Sequence, residues 1–125
     1  MKNIKQLGIW MDHSSAYLME LTDDTILTSI VKSEFVQKEN EYNLKYHEKS
    51  FHNKEQQLQL SYYKKLGDFI RKYQEVVLFG PTDAKIELLN LLKEDHLFEN
   101  IKIEVKQSDQ MNEYQRHEFV REYFK

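Results

Sequence analysis

One stretch constrains this chain more than any other: Glu75-Val76-Val77-Leu78-Phe79-Gly80-Pro81-Thr82-Asp83-Ala84-Lys85-Ile86-Glu87-Leu88-Leu89. A short apolar run stops at Gly80-Pro81. It passes straight into an amphipathic helical pattern carrying Ala84, Leu88, Leu91 and Leu92, with Thr82 or Asp83 as the expected cap. This reads as a buried strand feeding a helix, the junction at which α/β proteins place ligand sites.

The rest of the chain extends that pattern. Leu7-Gly8-Ile9-Trp10-Met11 is apolar and β-prone, and Ser15 to Leu21 alternates. Asp12-His13-Ser14-Ser15 supplies turn chemistry between them, and Thr22-Asp23-Asp24 a second turn before a strand over Thr25 to Val31. The opening is therefore a three-stranded meander. From Leu58 the period becomes helical, with Tyr62, Leu66, Phe69, Ile70 and Tyr73 on one face. Gly67 within that helix costs roughly 1 kcal/mol relative to Ala. Ile101 to Val105 alternates as a strand, and Ser108 or Asp109 is expected to cap a last helix carrying Met111, Tyr114, Val120, Tyr123 and Phe124.

The order β-β-β-α-β-α-β-α predicts an α/β domain. Its later strands are parallel and joined by right-handed crossovers, with Val77, Phe79, Ile101 and Ile103 in central strands. An antiparallel meander extended in this way is the ribonuclease H-like layout, a mixed sheet with helices packed on it. At 125 residues the whole chain, 1–125, is read as a single domain.

Between the meander and the first helix lies a polar excursion, Lys32 to Gln57, with no glycine or proline. It is either a long mobile segment or a polar helical extension. Lys45 and Lys49 alternate there with Tyr42, Tyr46 and Phe51, a mixture that can contact RNA. Glu34, Glu39, Glu41, Glu48 and Glu55 cancel the charge, so a solvated segment or a partner-binding arm fits equally. The chain as a whole carries a net charge of −3, which excludes a whole-molecule basic field for nucleic acid. It has no cysteine, and hence no disulfide or thiolate chemistry. No apolar run reaches the ~20 residues of a membrane span. The expected setting is the cytoplasm, with no membrane partner.

Catalytic sets are incomplete. The Gly80-Pro81-Thr82-Asp83 turn can present helix N-terminal amides to an anion, or can be a plain turn in which Asp83 complements the dipole. Asp12, at the end of the first strand, stands where ribonuclease H-like nucleases bind metal, yet Asp at a turn is also expected for local hydrogen bonding. No carboxylate cluster evident in the sequence would converge on it. The five histidines show no helical zinc spacing, and Asp12, His13 and Ser14 are neighbours in a turn that cannot converge as a triad. No cofactor and no metal is expected.

The strand-Gly-loop-helix segment resembles the one in the middle domain of the eukaryotic and archaeal peptide-chain release factor and its relative Pelota. There a strand ends in Gly, and a Lys and an acidic-Leu pair follow on the helix. The matching positions here are Gly80, Asp83, Lys85, Glu87 and Leu88. The resemblance implies the same ribonuclease H-like fold and a ribosome or RNA partner. It points to a bacterial stand-alone domain without the flanking domains of either protein. Release factors carry a Gly-Gly-Gln tip in the excursion that corresponds to Lys32–Gln57, and this chain has three glycines, none adjacent. The resemblance therefore implies a non-catalytic, Pelota-like member. Its partner-contact candidates are Tyr42, Lys45, Tyr46, Lys49 and Phe51 in the excursion, with Gly80, Thr82 and Lys85 at the loop. The alternatives are a self-associating structural or regulatory module without an RNA role, hence a homo-oligomer, and a metal-dependent nuclease.

Overall fold

A computed structural model describes residues 4–23, 25–33 and 48–125, with side chains outside 48–55. Five strands form one sheet: β1 (Gln6–Met11), β2 (Ser15–Leu21), β3 (Ile26–Lys32), β4 (Glu75–Gly80) and β5 (Lys102–Gln107). Among the described residues three helices accompany them, α1 (Glu48–Ile70), α2 (Ala84–Lys93) and α3 (Glu113–Tyr123), with a 3-10 turn at His96–Phe98. The order β-β-β-α-β-α-β-α is the expected one, and the fold is a ribonuclease H-like α/β domain.

Across the sheet the strands run β3-β2-β1-β4-β5. β1 pairs antiparallel with β2, and β2 antiparallel with β3; β1 with β4 and β4 with β5 are parallel. The central place of β1 explains its composition. Leu7, Ile9 and Met11 point to one face and Trp10 to the other, and all four are buried. β4 is flanked on both sides and is likewise apolar throughout Val76–Phe79.

Two cores result. On one face α1 (Tyr62, Tyr63, Leu66, Ile70) and α2 (Ala84, Leu88, Leu92) cover Leu7, Ile9, Leu18, Val76 and Leu78. On the other, α3 brings Val120 and Phe119 against Trp10, Met19, Val77 and Phe79, with the Phe79 and Phe119 rings stacked at 4.1 Å. Gly8 permits this approach, because a Cβ there would lie 2.4 Å from Val120 Cγ2.

Several expectations change. Ile103 stands in an edge strand and Ile101 just before it, so only Val77 and Phe79 are in an inner strand. Among the described residues, helix α1 already runs at Glu48, ten residues ahead of the periodic region, so the part of the excursion from 48 to 57 is a helical extension. In α3 the cap is Asn112, in a reciprocal capping box with Gln115. Ser108 and Asp109 are instead taken up by the passage from the sheet to its second face: Ser108 N–H continues the β5 ladder to Gly80 O at 3.1 Å.

Candidate functional site

β1, β4 and β5 are parallel, so their carboxyl ends share one edge of the sheet. Lys32 pairs with Ser15 at that same edge, so β3 also ends there. In parallel-rich sheets this is the end where ligands bind.

The β4–α2 junction is held by its backbone. Gly80 has φ of +151°, and a Cβ on it would sit 2.1 Å from Met11 O, so no other residue fits without displacing β1. Asp83 occupies the N-cap position of α2 with no side-chain cap bond. The hydroxyl of Thr82 does that work, accepting from Ala84 N at 3.2 Å. Lys85 is 1% exposed. Its ammonium donates to Thr82 O and, at 2.9 Å, to Gln107 Oε1. Gln107 Nε2 in turn donates to Pro81 O at 3.3 Å. Lys85 thus braces the loop from within and ties it to the end of β5.

Asp12 is similarly occupied. Its Oδ1 accepts from Ser14 N (2.8 Å), Ser14 Oγ (2.9 Å) and Ser15 N (2.9 Å), which shapes the β1–β2 turn. Its carbonyl accepts from Tyr62 O–H at 2.9 Å, which pins α1 to the same turn. Burial, then the Asp12 charge, pushes the Tyr62 hydroxyl far above the usual tyrosine range, so it remains a donor. Among the described residues no group of three or more His, Cys, Asp and Glu is placed to hold a metal ion.

Beside this turn lies a cluster that sequence reasoning did not assemble. Glu87 on α2 accepts from Tyr63 O–H through Oε1 at 2.6 Å, while its Oε2 lies 3.2 Å from His13 Nε2. Burial works against the Glu87 carboxylate, but the hydrogen bonds from Tyr63 and His13 prevail and hold its pKa below the usual value. Burial and the bond to Glu87 raise the Tyr63 hydroxyl strongly. No spacing rule could have found this set, since its members come from a turn and two separate helices. Gln107 escaped notice for the same reason.

Of the residues singled out from the sequence, Gly80, Thr82 and Lys85 meet at this edge. Lys49 and Phe51 fall on α1, with side chains outside the described set, and Tyr42, Lys45 and Tyr46 lie outside the described residues. A cavity of about 560 Å³ lies elsewhere, between α1 and the end of α2. Gly67, Leu92 and Phe98 line its apolar part, and Lys64, Arg71, Asp68 and Glu94 contribute charges of both signs.

No family model matches the sequence, and no curated protein does. Solved structures do match. The Pelota protein of Thermoplasma acidophilum superposes with a TM-score of 0.63 at 14% identity, covering 94% of this chain and 32% of that one. The Pelota of Archaeoglobus fulgidus gives a TM-score of 0.63 at 10% identity, covering 97% of this chain and 32% of that one. The chain thus spans about a third of the length of either protein. The fold is that of a Pelota domain.

Proposed function

We propose that this chain is a non-catalytic, translation-related protein that associates with the ribosome or with RNA. The carrying observation is the likeness of nearly the whole chain to part of two Pelota proteins. The chemistry of the sheet edge supports it. Asp12 is engaged in its own turn and Lys85 and Gln107 in the loop, so these groups position backbone and do not face a substrate. The polar excursion supplies Tyr42, Lys45, Tyr46, Lys49 and Phe51 as contact candidates, with Gly80 and Thr82 in the β4–α2 loop as further ones. With a net charge of −3, contact depends on the aromatic rings as well as on the lysines.

Co-sedimentation with ribosomes at low and high salt tests this reading. The full chain is expected in the ribosomal pellet at low salt. The Tyr42→Ala/Tyr46→Ala and Lys45→Ala/Lys49→Ala variants are expected to remain in the supernatant while unfolding like the parent. Absence of the parent from the pellet at low salt refutes the proposal. Full binding by both variants moves the surface away from 32–57.

A further inference from the structure

The two edges of the sheet are built differently. β5 carries Lys102, Glu104 and Lys106 along one side, the alternating charge that keeps an edge strand from pairing further. β3, ILTSIVK, has one charge, at its last residue, and no proline. Leu27 is 59% exposed and Ile30 57%, although both lie inside a strand.

The phase of the ladder shows which backbone groups face outward. Thr22 N–H donates to Thr25 O and Ser33 N–H to Ser14 O, and both pairs belong to the β2–β3 register. Hydrogen-bonded pairs alternate with non-bonded ones in an antiparallel ladder. Leu27, Ser29 and Val31 therefore turn their amides and carbonyls toward β2. Ile26, Thr28, Ile30 and Lys32 turn theirs toward the outer edge, which no other strand covers among the described residues.

We infer that β3 is a homodimerisation edge, at which two copies of this chain pair their β3 strands antiparallel about a two-fold axis at Ser29. The occupant follows from self-complementarity. The strand Ile26–Lys32 is centred on Ser29, so this register overlaps it over its whole length. A two-fold axis normal to the sheet keeps each face matched to itself. Leu27 then lies across from Val31 of the second copy on the face that bears α1. Thr28 lies across from Ile30 of the second copy on the face that bears α3. The Thr28–Ile30 and Ile26–Lys32 pairs are the ones whose amides and carbonyls face outward, so each exchanges two backbone hydrogen bonds. No like charges oppose one another, and both exposed aliphatic side chains gain an apolar or β-branched neighbour. This inference is independent of ribosome or RNA association.

Sedimentation velocity from about 5 to 500 µM, a range that covers modest interfaces, is the test. The parent is expected to move from a species of 15.2 kDa to one of twice that mass as concentration rises. Ile30→Pro removes an outward amide and no bond to β2, so it is expected to abolish the dimer and leave the circular dichroism unchanged. Thr28→Lys/Ile30→Lys, which sets ammonium groups facing each other across the axis, is expected to do the same and decides the matter should the proline variant misfold. A parent that stays monomeric throughout, or a folded variant of either kind that still dimerises, overturns the inference.

Discussion

Tyr63 donates its hydroxyl to Glu87 at 2.6 Å, and this bond joins the C-terminal half of α1 to the first turn of α2. His13 approaches the other carboxylate oxygen at 3.2 Å, so the β1–β2 turn is drawn into the same contact. One side chain thus registers both helices of the larger core against the edge where the candidate site lies.

The pH dependence of this contact has a definite sign. Glu87 titrates lower in the folded chain than its ordinary value of 4.5. Its contribution is therefore fully present above that value and is lost as pH falls through the folded pKa. The pair with His13 is half exposed, so the effect stays below about 1 kcal/mol. Urea denaturation of the parent and of Glu87→Gln between about pH 3 and 6 is expected to show the parent losing its advantage at the acid end. Parallel curves would mean that the contact contributes nothing in solution. Tyr63→Phe is expected to raise the Glu87 pKa, readable by NMR titration, and to cost about 1 kcal/mol.

At Gly80 the restraint is steric. A Cβ would lie 2.1 Å from a backbone oxygen of the central strand, and φ is +151°. Gly80→Ala is expected to cost at least about 2–3 kcal/mol in chemical denaturation. Gly67→Ala provides the contrast. Its nearest neighbour would be Phe98 Cζ at 3.3 Å, and the helix propensity gained is worth roughly 1 kcal/mol, so the two effects nearly cancel. Equal losses at both glycines would contradict this account.

Burial separates two helix positions that look equivalent in sequence. Leu88 is fully buried between α2 and the sheet, and Leu88→Ala is expected to cost about 2–5 kcal/mol. Phe69 is only partly buried, with Lys72 Nζ 5.7 Å from its ring centre. Phe69→Ala is expected at or below the lower end of that range. Equilibrium unfolding in urea ranks the two, and the reverse order would mean that α1 is turned about its axis.

Lys85 presents a buried ammonium whose acceptors here are a carbonyl and an amide oxygen. Lys85→Ala removes the stem and leaves Thr82 O and Gln107 Oε1 without this donor, at an expected cost of about 2–4 kcal/mol. Lys85→Met keeps the volume and relieves the desolvation of the charge, so it is expected to cost less. A double-mutant cycle with Gln107→Ala is expected to give a coupling of about 1 kcal/mol. A coupling of zero would show that the two side chains do not meet in solution.

Periodicity alone was enough to place the strands and helices in order, because a strand buried on both faces and a helix buried on one leave different apolar patterns. The Gly80-Pro81 break is local chemistry and was equally legible. The run of α1 from Glu48 was not, since the residues before Leu58 show no apolar face for a periodic reading to detect. Nor was the edge position of Ile103, because alternation along one strand does not say how many neighbours flank it. Side-chain roles at the sheet edge depended on packing. Lys85 and Asp12 look available as written, but folding buries one under its own loop and binds the other into its own turn. Glu87, Tyr63 and His13 meet only because α1 and α2 cross the same face and the β1–β2 turn rises beside them. Contacts between residues tens of positions apart are set by how the layers stack, and that is where tertiary structure had the final word.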